Sequence, residues 1–335
     1  DICKFKIPKE LITSICISLL EGLSNLEPQS FSYLSFHADK YGVTSTDLEF
    51  SRVAVSNQSP MMEGLEKLEN QIDSEILPQL IPELTQLIKR GVGLPTRAGC
   101  SRFTTSLVTK LSNDVKPYAD ELLNALESHL TDASPVVRKL AATSIAYVLR
   151  IAPKKSSKKY ILLATRKYAE LDPESPRRNS DAILFKQISH VAMDLAKSYM
   201  GEILPLVLVG MHDSDKSTSE IWKLTYEELA ITRATVKLYA DEVMKYLETT
   251  ISDNSSWVIK KQVSITLSKF IGYVEGRFEV YGGKTLDLYF DILFGRYWEG
   301  KEYSFKAYCE TLVLLKDWIN NPSRDKYRLK AFKTL

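Results

Sequence analysis

Cysteine and histidine are scarce, with four of each in 335 residues. Cys3, Cys16, Cys100 and Cys309 lie far apart and form no Cys-x-x-Cys pair. They imply free thiols in a reducing compartment rather than a disulfide frame or a zinc site. His37, His129, His190 and His212 fall in no His-x-Glu, His-Glu-x-x-His or Cys/His grouping, so each reads as structural or surface. Glycine and proline number only 14 and 13, as in a helical protein. The longest apolar runs, such as Ile203 to Val209, are too short to span a bilayer, which excludes direct membrane insertion. Neither charge sign dominates: 44 basic and 42 acidic residues leave +2, which weighs against bulk electrostatic binding of nucleic acid. No stretch alternates apolar and polar residues long enough for a sheet.

What is present is helical periodicity, clearest between Pro117 and Ala152. Leu122, Leu123, Leu126 and Leu130 share one helical face, and Val137, Leu140, Ala141, Ser144, Ile145 and Val148 share another. Between them, Ser134 is placed to cap the second helix, and Pro135 fits its first turn. Such a hairpin cannot bury its own apolar faces and needs neighbours on both sides. The pattern resembles a HEAT repeat. In that family an Asp and an Arg form a ladder between successive repeats, and the matching residues are Asp132 and Arg138. Aligning Arg97 with Arg138 gives a step of 41 residues, and Trp257 to Lys260 falls about three steps further on. The fold class expected is therefore all-α, an α-solenoid of HEAT-like antiparallel helix pairs.

Along the chain, helices are predicted from Pro8 to Leu23, from Glu27 through Phe36, over about 46–55, and from Ser59-Pro60 to about Ile72. Residues 37–47 read as a loop. A regular series follows: Glu75 to Arg90, Thr96 to Leu111, the hairpin, Lys158 to Leu171, Arg178 to Met200, Gly201 to Asp213, and Ser219 to Ala230. Arg233 to Ile251, Ser255 to Val274, Lys284 to Tyr297 and Lys301 to Asn320 complete it. Gly276 to Gly283 reads as a glycine-rich connection. Residues 1–72 thus form irregular repeats, 73–320 a regular array, and 321–335 the start of a further helix. A first residue other than Met, and a helical pattern that stops short at Leu335, imply a piece of a longer chain.

Chemistry is hard to find. Gly282-Gly283-Lys284-Thr285 is similar to the end of a phosphate loop, but a Walker motif needs glycine where Phe278 stands and a preceding strand. No nucleophile elbow or dinucleotide fingerprint occurs. The expectation is a non-enzymatic segment with no cofactor. Asn254-Ser-Ser256 matches a glycosylation triplet by chance. The basic run Lys154-Lys155-Ser-Ser-Lys158-Lys159 reads as an exposed loop leading into a helix, with a localisation signal or an acidic-partner contact as the functional alternative; Arg177-Arg178 is a smaller basic cluster. His212 ends a helix, where the helix dipole would stabilise its charge. Trp298 sits in a turn, as an inter-repeat wedge or a partner hot spot.

Several stretches together carry a more specific resemblance: Tyr33 to His37, Ser59 to Glu63, Gly91 to Leu94 with Arg97 to Cys100, Ile203 to Leu206 through Gly210 to Asp213, Ile221-Trp222, and Trp298 to Glu302. In this order and spacing the chain resembles the family of very large HEAT-repeat adaptors and scaffolds of the proteasome, from about residue 9 to about 319. The resemblance implies binding to core and regulatory particle subunits. It also implies tethering of the two particles, restraint of the ATPases, quality control of assembly, links to membranes and motors, and residence in nucleus and cytoplasm. A transport receptor or phosphatase-type scaffold is the alternative of like architecture. Partner contacts are placed at exposed turns, on Gly91, Arg97, His212, Asp213, Trp298 and Lys301.

Overall fold

Short polar side chains start the helices, because the first backbone N–H groups of a helix have no partner within it. Ser59 accepts from Met62 N at 3.3 Å, with Pro60 following. Ser134 accepts from Val137 N at 3.4 Å, with Pro135 following. Asp215 accepts from Thr218 N at 2.7 Å, and Thr232 and Thr235 make a reciprocal capping box. In a computed structural model of the chain, residues 7–26, 40, 42, 44–172, 174–253, 256–294 and 297–334 are described. The expected helix from Glu27 through Phe36, the stretch Tyr33 to His37, Cys3, and Asn254 and Ser255 lie outside them. Among the described residues every regular element is helical.

The helices are α1 (Lys9–Gly22), α2 (Ser45–Asn57), α3 (Pro60–Glu69), α4 (Leu77–Arg90), α5 (Leu94–Lys110), α6 (Ser112–Val115), α7 (Ala119–Leu126), α8 (Pro135–Ile151), α9 (Lys154–Glu170) and α10 (Pro176–Val191). The series continues with α11 (Met193–Ser198), α12 (Met200–Gly210), α13 (Lys216–Glu228), α14 (Arg233–Leu238), α15 (Ala240–Asp253), α16 (Trp257–Tyr273), α17 (Phe278–Leu293), α18 (Lys301–Leu314), α19 (Lys316–Ile319) and α20 (Asp325–Thr334). They divide into two units, residues 1–158 with 183–192 and residues 159–182 with 193–335. The position after residue 72 lies inside the first unit.

In the first unit α4 packs on α7 and α5 on α8, so first helices meet first helices and second meet second; α1 covers α4 and α5. Leu122, Leu123, Leu126, Leu130, Val137, Ala141, Ile145 and Val148 are buried as the periodicity requires, and Leu140 is partly so. His129 is buried too, with Nε2 2.7 Å from Ile88 O, a tie between neighbouring first helices. Burial pushes its pKa down, and Nε2 is the donor because the Ile88 carbonyl can only accept. In the second unit α12 packs on α15, α15 on α17 and α17 on α20, while α16 packs on α18. Each unit is a stack of helix pairs, the α-solenoid arrangement.

The structure corrects the predicted elements in five places. The first helix of the hairpin is not continuous: α7 lies between 3₁₀ turns at Lys116–Tyr118 and Glu127–Thr131. The helix expected over Arg178 to Met200 breaks after Val191 and again at Tyr199, and the one expected over Arg233 to Ile251 breaks at Tyr239. Tyr118 (φ −95°, ψ 5°), Tyr199 (φ −117°, ψ 31°) and Tyr239 (φ −104°, ψ 28°) all lie near the sparsely populated bridge region. Lys154 to Lys159 is not a loop but the start of α9. Gly276 to Gly283 is not a connection: only Gly276 (φ +87°) turns the chain, and Gly282 and Gly283 lie inside α17. They are there for packing. A Cβ on Gly282 would come within 3.3 Å of the Trp318 ring, and one on Gly283 within 2.6 Å of the Tyr327 hydroxyl.

Leu126 is fully buried. Leu126→Ala is expected to cost about 2–5 kcal/mol. In a stacked array, faster hydrogen exchange should be confined to the first unit; uniform acceleration over the whole chain would contradict nearest-neighbour packing.

Candidate partner-binding surface

The turn holding Gly91 and Arg97 is locked to the end of α1. Ser24 Oγ donates to Val92 O at 3.0 Å and accepts from Thr96 N at 3.3 Å, while Thr96 Oγ1 donates to Leu20 O at 2.9 Å. Gly93 (φ +88°) is needed twice over, for its left-handed backbone and because a Cβ would lie 2.1 Å from Ser24 Oγ. Arg97 Nε lies 2.8 Å from Asp132 Oδ2. Asp132 thus joins the arginine of the preceding repeat. Arg138 donates instead to the carbonyls of Asp132 at 2.7 Å and Ala133 at 3.0 Å, closing its own turn. Of this turn, Val92 is the side chain left facing solvent, at 84% exposure.

The same step recurs in the second unit. Arg97 precedes Asp132 by 35 residues, and Arg178 precedes Asp213 by 35. Here the pair is buried. Asp213 Oδ2 accepts from Arg178 Nε at 2.9 Å, from Arg178 Nη2 at 2.6 Å and from the Tyr168 hydroxyl at 2.6 Å. Asp213 Oδ1 accepts from Asp215 N at 3.0 Å. Arg178 Nη2 also donates to Gln262 Oε1 at 3.0 Å, and the guanidinium stacks 4.3 Å from the Tyr168 ring centroid. Trp222 Nε1 donates to the Tyr168 hydroxyl at 3.0 Å, and the two rings meet edge to face. Burial raises the Tyr168 pKa well above its ordinary value, keeping the hydroxyl a donor to Asp213. Gly210 makes room for Trp222, since a Cβ there would sit 2.5 Å from the indole. Asp213 is therefore consumed inside the repeat stack and has no free face for a partner. Arg177 and Arg178 are buried as well, not a basic surface cluster.

His212, next to Asp213, is half-buried. Burial lowers its pKa to about 4, with Lys269 and Lys223 adding to the shift. The helix-end stabilisation of a charged imidazole expected from sequence is outweighed, and the ring is neutral.

Trp298 and Lys301 sit at a turn with Gly300 in the left-handed region at φ +90°. Both are half-buried, and exposed aromatics surround them in sequence: Phe294 at 90%, Tyr297 at 81% and Tyr303 at 50%. Lys261 Nζ lies 3.8 Å over the Tyr303 ring, and the Cβ position of Gly300 lies 3.8 Å from the Trp257 ring. Aromatic side chains beside cations are what interface hot spots are made of. A second feature of this unit is a groove of about 850 Å³ lined by Leu162, Met200, Pro205, Tyr239 and Tyr246, with Glu202, Glu242 and Lys245 among its polar groups.

Gly91 and Arg97 lie in the first unit and His212, Asp213, Trp298 and Lys301 in the second. Sequence alone does not single out Tyr168 or Gln262, gives Trp222 only as part of the family resemblance and Arg178 only as surface charge, though the repeated Arg-to-Asp spacing of 35 marks Arg178. Burial pushes the Cys16 and Cys100 thiols up to about 12, which makes them poor nucleophiles. Among the described residues no cluster of three or more His, Cys, Asp or Glu could hold a metal, and no helix is long and apolar enough to cross a membrane.

Stacked helix pairs joined by an Asp–Arg step define a HEAT-repeat protein. Residues 9–169 match the family described as "Proteasome adapter and scaffold protein ECM29, HEAT-repeat domain". The chain is 31% identical over 297 residues to the human "Proteasome adapter and scaffold protein ECM29", covering 87% of this chain and 16% of that protein. It is 23% identical over 315 residues to the "Proteasome component ecm29" of Schizosaccharomyces pombe, covering 94% and 18%. Among solved structures, "Crystal structure of Kap121p" overlays with a TM-score of 0.47 and 13% identity, over 93% of this chain and 30% of that one. Residues 9–169 thus match the HEAT-repeat domain of the ECM29 family, and most of the chain is similar to proteins named as proteasome adapters and scaffolds. The chain spans less than a fifth of the length of these curated relatives.

Removing one partner of the buried pair strands the other charge. Arg178→Ala is expected to destabilise the second unit by about 3–5 kcal/mol, and removal of an exposed pair such as Lys223–Glu220 to cost far less. Denaturant unfolding of the two variants measures the contrast; equal costs would refute the network's role.

His212 gives a pH signature. The unfolded chain takes up a proton near 6.5, the folded one only near 4. Its contribution to stability is complete above pH 6.5 and is lost as pH falls towards 4. His212→Gln should flatten that part of the stability profile, measured by denaturant midpoints between pH 7 and pH 4.

Proposed function

We propose that this chain is a non-catalytic scaffold segment that binds the proteasome. In this reading it helps tether or regulate the core particle and the ATPase-bearing regulatory particle, and it acts in quality control of their assembly, in cytoplasm and nucleus. The observation that carries the reading is the similarity to ECM29 proteins across 87% of the chain in the human comparison. The structure supplies means compatible with it. A stack of helix pairs presents many turns at regular intervals, each able to carry a contact. The exposed aromatic edge around Trp298 and Lys301 is the part of this surface best suited to anchor a partner. A non-catalytic role is supported by the fate of the glycine-lysine stretch: inside α17, Gly282 to Thr285 cannot form the loop that wraps a phosphate.

The test is affinity capture of purified proteasomes on the immobilised chain at low salt. Saturable binding that is reduced by Trp298→Ala, with the fold retained, is the expected outcome. Absence of binding by both core and regulatory particles would end the proposal.

A further inference from the structure

The face of α16 that carries Lys269 separates two adjoining cavities. The larger, about 420 Å³, is lined by Arg233, Ser268, Lys269, Tyr273, Glu310 and Val313, among others. The smaller, about 140 Å³, is walled by Leu208, Met211, Thr266 and Phe270, with His212 beside them. Lys269 and Tyr273 line both. All these residues belong to the second unit.

The two cavities differ in chemistry. In the smaller one Thr266 turns its hydroxyl back to Gln262 O at 2.8 Å, and the rest of the wall is mostly hydrocarbon. An apolar cavity of about 150 Å³ takes a group the size of benzene. The larger cleft has exposed apolar groups at its edge, Val313 at 73% and Leu314 at 45%. Its charges are unbalanced. Lys269 is exposed and has no hydrogen-bond or ion-pair partner among the described residues. Arg233 meets Glu275 only at 3.7 Å, both well exposed. Glu310, the acid lining the cleft, accepts from Ser268 Oγ at 3.2 Å. His212 is neutral and adds no charge of its own; burial is the main cause of its depressed pKa, and Lys269 and Lys223 add to it.

A cation without a partner, placed between an apolar hole and an open cleft, matches one kind of ligand. We propose that this cleft binds a peptide segment of a partner protein in which a carboxylate adjoins an apolar side chain. The carboxylate pairs with Lys269, within reach of Arg233, and the apolar side chain fills the smaller cavity. Charge complementarity selects the peptide over a basic one, and the mostly apolar cavity selects it over a purely acidic one. The inference goes beyond the family reading and stands whether or not the partner is a proteasome subunit.

The test uses the whole chain against short fluorescein-labelled peptides in a Gly-Ser background, each carrying Asp or Glu next to Leu, Met or Phe. Matched peptides replace the acid by Lys or the apolar residue by Ser. Binding is read by fluorescence polarisation. Both replacements are expected to weaken binding about tenfold, and Lys269→Glu to weaken the acidic-apolar set by at least as much. Lys155→Glu, an exposed charge reversal in the other unit, serves as control for bulk charge, and circular dichroism checks the fold of each variant. No saturable binding at low salt, or equal loss on Lys155→Glu and Lys269→Glu, would overturn the proposal. Proteasome capture that persists in Lys269→Glu would leave the family reading intact and show that this cleft serves another partner.

Discussion

An arginine without water must be paid for by its neighbours, and the second unit is arranged to do so. Arg178 reaches Asp213, Gln262, the carbonyl of Tyr168 and the face of the Tyr168 ring. Those residues come from α9, the turn after α12, and α16. The hydrophobic effect alone would let helix pairs slide against one another, because apolar contact is not directional. A buried guanidinium with fixed partners does not permit that. Its equivalent in the first unit, Arg97 with Asp132, keeps side-chain exposures of 26% and 10%, so the same step is cheaper to break there. Register between repeats is thus held unevenly, most firmly around Arg178.

Much of the architecture was legible in the sequence because its signals are local. Ser-Pro starts, leucines on one face and a step near forty residues give helices, pairs and stacking without any long-range information. The misses share a cause. Tyr118, Tyr199 and Tyr239 end or bend first helices; Pro117 stands before Tyr118 and Gly201 just beyond Tyr199, but Tyr239 has neither glycine nor proline beside it and is marked only by its spacing, 40 positions after Tyr199. Gly282 and Gly283 were misread in the opposite sense, because the usual meaning of a glycine pair, an interruption, lost to the need of Trp318 and Tyr327 for close approach. Arg177-Arg178 looked like surface charge because arginine is rarely buried.

The candidate surface was legible only in part. Trp298 and Lys301 are neighbours in sequence, so one turn announces them. The cleft at Lys269 draws on Met211, Arg233, Lys269 and Glu310, residues spread over about a hundred positions that only folding assembles. Near neutrality of the whole chain concealed it further. A net charge of +2 describes an average and says nothing of one cation left without an acid. The repeats are written in local periodicity, and the candidate contacts in the departures from it.

The glycine pair in α17 has a further consequence. Each glycine in a helix interior gives up about 1 kcal/mol relative to alanine. α17 therefore leans on what lies across it, Trp318 of α19 and Tyr327 of α20. Shortening the chain to remove those two aromatics would do more than trim an end: it would leave a helix with a weak middle and an uncovered groove, and fraying would begin inside the preceding repeat. Fragments meant for biochemistry are better cut on the far side of Tyr327 than at the tidier-looking break near Asn321-Pro322.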